Sequence, residues 1–130
     1  MTALSPKFVV DTHPFVFWML DPSSLSNDAY AVLSEPGSRF LVPTMVLLEV
    51  KHLVEIGRVD AEITDMLSYA NTTPDWEIVP FGEAILLKAL EIVDTRDPFD
   101  RTILATALAE NCPIITRDRW MTKRCPNCVW

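Results

Sequence analysis

The sequence predicts an α/β fold of three layers, helices on both sides of a central, mainly parallel sheet of four to five short strands. Two patterns predict it. Short, mostly apolar runs at 8–10, 39–42, 76–79 and 114–116 alternate with longer stretches of helical periodicity. The runs read as strands buried in a covered sheet. A third observation concerns position: Asp11 and Asp118 each stand just past the end of such a run. In a parallel sheet that edge is where ligands bind.

A chain of 130 residues fits one domain, 1–130, with room for a real core. Hydrophobic residues make up 49%, which points to surface buried against a partner chain or a second copy. The longest unbroken apolar run, Phe15 to Leu20, is far short of the roughly 20 residues that span a bilayer. No membrane segment is expected. Asp11 and His13 interrupt the only candidate for a secretory leader, so the expected location is the cytoplasm. Three cysteines, an odd number, argue against a disulfide framework. Cys125 and Cys128 form a CPNC half-site, yet Cys112, His13 and His52 are too scattered to complete a zinc centre. The net charge of −7, with 18 acids against 11 bases, argues against nonspecific adhesion to nucleic acid. Six of those bases, Arg96, Arg101, Arg117, Arg119, Lys123 and Arg124, are interleaved with Asp97, Asp100 and Asp118. That is the pattern of a phosphate-contacting rim around an acidic centre.

Taken in order, Phe8–Val10 is a strand that delivers Asp11, and Thr12 caps a helix from His13 to Leu20 with Pro14 near its start. This helix is apolar nearly all round, which predicts an interface, and His13 is read as structural. Asp21-Pro22-Ser23-Ser24 breaks the pattern before a helix from Ser26 to Ser34, which stops at Glu35-Pro36-Gly37-Ser38. The strand Arg39–Val42 leads through Pro43 and Thr44 into a helix running to Ile56 and halted by Gly57. Within it Glu49 shares a stripe with Val46, Leu53 and Ile56, so a carboxylate faces the core. Val59–Ala70 reads as the next helix, Asn71-Thr72-Thr73-Pro74 as a turn, and Trp76–Val79 as a strand at or near an edge because Pro80 follows it. A helix over Glu83–Val93 precedes the stretch Asp97–Ala109.

Asp97 followed by Pro98 is an N-cap with proline at the first helical position. Counting on from Asp100 gives Ile103, Leu104, Ala107 and Leu108, so Asp100 also continues an apolar stripe. Alone, an acid at this position also serves as a partner of the helix dipole. Ile114–Thr116 is the last clear strand, and Val129-Trp130 is a candidate for one more.

Right-handed crossovers place the ends of the Asp11 and Asp118 strands on one sheet edge, where Asp100 and Glu49 can join them. Two unit charges about 4 Å apart repel by roughly 4 kcal/mol at an effective dielectric of 20. A hard divalent cation such as magnesium or manganese offsets that, and the chemistry it supports is phosphodiester hydrolysis.

VVDT at the start, an inward Glu near position 50, DPFDR before an alanine-rich helix, and IITRD near the end resemble the PIN-domain ribonucleases, in particular the small VapC-type toxins of toxin–antitoxin pairs. The resemblance runs over essentially the whole chain. It implies a PIN-like fold with metal-binding, catalytic acids at Asp11, Glu49, Asp100 and Asp118, holding Mg2+ or Mn2+. Asp97 would mainly cap its helix, with a secondary role through water, and Thr116 would orient Asp118 or a metal-bound water. Arg101, Arg117 and Arg119 would contact RNA. The resemblance further implies a homodimer and a cognate antitoxin that docks in an apolar groove and approaches the acids. Arg96 stands where many relatives have His, and the CPNCVW ending departs from the pattern. The alternatives are a catalytically silent PIN-like module that binds RNA or protein, a housekeeping RNA-processing PIN nuclease, and a phosphoacceptor or phosphatase domain. The silent module predicts a missing acid. Thr12 and His13 after Asp11 weaken the last alternative, since dehalogenase-type phosphatases need a second Asp two residues on.

Overall fold

The computed structural model describes residues 5–130. Four strands, β1 (Lys7–Val10), β2 (Arg39–Pro43), β3 (Trp76–Val79) and β4 (Ile114–Ile115), form one sheet in the order β3-β2-β1-β4. Every pairing is parallel. Neighbouring residues of a strand point to opposite faces, yet Val9 and Val10, Leu41 and Val42, and Ile114 and Ile115 are all buried. Both faces are therefore covered, as in the three-layer arrangement expected.

The covering elements are α1 (Thr12–Leu20), α2 (Asn27–Leu33), α3 (Thr44–Glu55), α4 (Ile63–Thr72), α5 (Glu83–Glu91) and α6 (Pro98–Glu110), followed by the short α7 (Arg119–Thr122). Trp76 of the edge strand β3 anchors an aromatic cluster with Phe15, Trp18, Phe40 and Tyr69. Such pairs contribute about 0.5–1.5 kcal/mol each beyond their burial.

The helix boundaries follow local chemistry. Ser26 caps α2 by accepting from the Ala29 N–H, and Asp97 caps α6 by accepting from the N–H groups of Phe99 and Asp100. Asn111, in the left-handed conformation with φ 52°, ends α6.

Three elements differ from expectation. Helix α4 begins at Ile63 and not at Val59, because Val59, Ala61 and Ile63 are half-buried while Asp60 and Glu62 are exposed. That period of two belongs to extended chain. Helix α5 stops at Glu91, where Ile92 turns extended and buries itself, leaving Val93 outside. At the far end, Val129 makes one parallel bridge to Ile115, a single rung and not a fifth strand. The 3-10 turn Pro22–Ser24 and α7 were not anticipated.

Strand β1 lies between β2 and β4, so the chain leaves it toward opposite sides of the sheet. A crevice opens at the carboxyl ends of β1 and β4, where such a reversal occurs. No helix among the described residues is long and apolar enough to cross a membrane.

Candidate active site

At that crevice lies a pocket of about 490 Å³ lined by Asp11, Glu49, Asp97, Asp100 and Asp118, with His13, Arg117, Arg119 and Trp120 completing its walls. The four acids marked in the sequence thus reach one opening from four elements. Asp11 follows β1 and is the N-cap of α1, Glu49 comes from α3, Asp100 from the first turn of α6, and Asp118 caps α7.

Three of the four acids, Asp11, Glu49 and Asp118, are held by a neighbour. Asp11 is buried, its Oδ1 accepting from the Thr12 N–H at 2.8 Å and its Oδ2 from the Thr116 hydroxyl at 2.7 Å. Thr116 Oγ1 in turn accepts from the Asp118 N–H at 3.0 Å. One buried hydroxyl therefore ties together the ends of two strands. The Thr12 hydroxyl donates to Glu49 Oε1, linking α1 to α3. Asp118 Oδ1 accepts from the Trp120 and Met121 N–H groups at 2.7 and 3.2 Å.

The structure redistributes two roles. Thr12 does not cap α1; it lies inside the helix, Asp11 is the cap, and the Thr12 side chain is free to hold Glu49. Thr116 grips the Asp11 carboxylate and only the backbone of Asp118. Arg117 and Arg119 line the pocket, whereas Arg101 spends its guanidinium on the Thr95 carbonyl. Asp97 is exposed and combines the cap of α6 with a place in the pocket wall. His13, read as structural, faces the pocket with Trp120, and Arg117 also lies over the Phe17 ring at 5.1 Å. A pocket-facing His13 was signalled only by its place two residues after Asp11; nothing in the sequence marked Trp120.

Burial, and after it the neighbouring charges, makes three of these acids costly to ionise. Burial, followed by the negative charges of Asp97, Asp118, Asp11 and Glu49, raises the Asp100 carboxyl to about 7. Asp11 is raised to about 6, chiefly by burial, with the hydrogen bonds from Thr116 and Thr12 opposing the rise. Burial and the Asp97 charge also raise Glu49, against the Thr12 hydrogen bond. The neighbouring imidazole of His13 is shifted down by burial and by Arg117. Among the described residues no group of three or more His, Cys, Asp or Glu side chains stands assembled for a metal ion. The chemistry of the donors nonetheless fits a hard cation: they are all oxygen, and none of the four acids forms an ion pair among the described residues.

The curated proteins include no match to this chain. The fold is similar to that of VapBC2 from Rickettsia felis, solved bound to a DNA fragment from its promoter, with a TM-score of 0.64 and 18% identity over 95% of this chain and 96% of that one. It is also similar to VapBC-5 of Mycobacterium tuberculosis, a member of the VapBC family of toxin–antitoxin systems, with a TM-score of 0.52 and 19% identity over 86% and 85% of the two chains. The family model of the PIN domain matches residues 8–124, a span that takes in all of the sheet but Lys7, together with the crevice and all four acids. A parallel sheet in the order 3-2-1-4, acids gathered at its carboxyl edge, and that match make the chain a member of the PIN domain family.

Proposed function

We propose that the protein is a metal-dependent endoribonuclease, folded as one domain over 1–130, and the toxin of a toxin–antitoxin pair. The observation that carries this reading is the meeting of Asp11, Glu49, Asp100 and Asp118 at one pocket, none of them in an ion pair among the described residues. PIN domains are nucleases, and both structural relatives come from toxin–antitoxin complexes.

Asp11, Glu49, Asp100 and Asp118 would hold Mg2+ or Mn2+. When bound, the ion supplies a Lewis acid for the phosphoryl group and lowers the pKa of a coordinated water. The chain's own residues do the rest. Thr116 and Thr12 fix the carboxylates of Asp11 and Glu49, so little reorganisation is left when substrate arrives. Arg117 and Arg119 place positive charge on the rim, where the phosphates flanking the scissile bond would lie. Asp97 keeps the first turn of α6 in place and so aims Asp100.

An antitoxin has a natural seat beside the acids. A second groove, lined by Val16, Phe17, Leu20, Leu53 and Val59, shares His13 and Arg117 with the acidic pocket. A partner segment lying on these apolar side chains would reach the acids along a continuous surface. A second copy of the chain would cover the exposed leucines of α5, Leu86, Leu87 and Leu90.

Purified protein should cleave structured RNA when magnesium or manganese is added, and a chelator should stop it. Asp100→Asn should abolish cleavage while the melting curve stays cooperative. Undiminished cleavage by that variant overturns the proposed site.

A further inference from the structure

The C-terminal cysteines lie outside the acidic pocket and have no part in the chemistry above. Cys125, Pro126, Asn127 and Cys128 form a tight turn. Proline stands at its second position, and Asn127 at the third has φ 62°, the left-handed conformation a type II turn requires there. Such a turn holds its first and fourth Cα atoms within about 7 Å. A disulfide spans about 4.4–6.8 Å between Cα atoms. The side chains agree with the backbone: Cys128 Sγ is 3.1 Å from the Cys125 carbonyl oxygen, so it lies back over the first residue of the turn.

The two sulfurs differ in access. Cys125 is packed into the core, whereas Cys128 is half-buried and lines a shallow surface pocket with Asp28, Val32 and Trp130. Cys112, the third cysteine, offers Cys125 only its carbonyl oxygen, 3.7 Å from the sulfur.

We propose that Cys125 and Cys128 are an oxidisable dithiol, a modification site that a small-molecule disulfide of the glutathione type converts into an intramolecular disulfide. The Cys128 thiolate attacks one sulfur of the small disulfide, forming a mixed disulfide and expelling one thiolate. The Cys125 sulfur then attacks Cys128 Sγ, forming the protein disulfide and expelling the second thiolate. The two protons of the protein thiols end on the two released thiols; the dithiol is oxidised and the small disulfide reduced. Burial, followed by the Cys128 thiol, pushes the Cys125 thiol up to about 12, so capping Cys128 removes one of the obstacles to the second step.

The bond would tighten a strap across β4. Val129, the residue after Cys128, donates its N–H to the Ile114 carbonyl at 3.0 Å and accepts from the Thr116 N–H at 3.0 Å. Thr116 is the residue that grips Asp11. Fixing Cys128 to Cys125 therefore fixes Val129 in register beside the strand end that organises the pocket.

The test uses the full wild-type chain. Reduced protein is incubated with excess oxidised glutathione, residual thiols are alkylated, and the cysteines are mapped by mass spectrometry. The expected result is an alkylated Cys112, a Cys125–Cys128 cross-link within one peptide, and several-fold slower hydrogen exchange at the Thr116 and Val129 amides after oxidation. Three alkylated cysteines, a cross-link through Cys112, a bond between chains, or a disulfide that leaves both amides exchanging as before would overturn the proposal.

Discussion

The two ends of the sheet treat acidic side chains in opposite ways. At the amino end, Lys7 of β1 meets Glu110 of α6 at 3.1 Å, and Arg39 of β2 pairs with Glu77 of β3. At the carboxyl end, Asp11, Glu49, Asp100 and Asp118 share a pocket, and none of them forms an ion pair among the described residues, although Arg117 and Arg119 stand on the same rim. Pairs at a surface add little to stability but cost nothing in charge. A group of like charges costs the fold free energy, and a protein keeps such a group where its chemistry needs it. The sheet is the same at both ends, so the difference lies in the side chains that the crossovers deliver there.

Breaking the unpaired end should have the largest effect. Replacing Asp118 by Asn removes one charge from the cluster while keeping an oxygen to cap α7. RNA cleavage should fall on the order of a thousandfold, the several kcal/mol that charge stabilisation by a bound ion provides. A gel assay with manganese reads it, and a residual rate within tenfold of the parent would count against the role of Asp118.

The next effect is on stability, and it runs against the usual direction for carboxylates. Asp11 has a carboxyl near 3.8 when unfolded and about 6 when folded, so between those values the folded chain binds more protons. Stability is therefore highest below the unfolded value and declines as pH rises through the window, by about 3 kcal/mol for Asp11. Asp100, raised to about 7, extends the decline toward neutrality with a smaller weight, because its pocket is open to solvent. Urea unfolding of metal-free protein should give a higher midpoint at pH 5 than at pH 7.5, and manganese should narrow that gap by stabilising the ionised acids. A midpoint that rises steadily with pH would mean the acids are not burdened as described.

This contrast was partly legible in the chain itself. Asp97-Pro98 marks the start of α6, and the period of 3.6 running through Asp100 and Glu49 aims both acids inward. The apolar runs located the strands, since a strand covered on both faces has no polar side to confuse its reading. What stayed hidden depends on contacts distant in sequence. Thr12 looks like a cap until Asp11 takes that role and α3 presents Glu49 to its hydroxyl. The extended stretch before α4 is too short to declare its period, and α7 is a four-residue turn organised by the Asp118 cap.

A subtler way to disturb the acidic end is to leave its charges and remove a support. Thr116→Val keeps the shape of a wholly buried side chain but takes the hydrogen bond from Asp11 and the acceptor from the Asp118 N–H. Cleavage should drop roughly 10–100-fold, the usual range for a group that orients a metal ligand. Because Thr116 holds the Asp11 carboxyl down, its loss should also move the acid limb of the pH–rate profile upward. Thr116→Ser, which retains the hydroxyl, should restore both the rate and the profile.

The smallest effect belongs to the paired end. Lys7 and Glu110 are each about one-third exposed, so the Coulomb gain is screened and two long side chains must be ordered to make the contact. A double-mutant cycle of Lys7→Met and Glu110→Gln should give a coupling of roughly 0.5 kcal/mol, shrinking further in high salt. RNA cleavage should not change in either variant, since the pair sits at the edge of the sheet opposite the pocket. A coupling above about 2 kcal/mol would place the pair in the class of buried ion pairs. The sheet would then rely on charge at both ends, by attraction at one and by repulsion tolerated at the other.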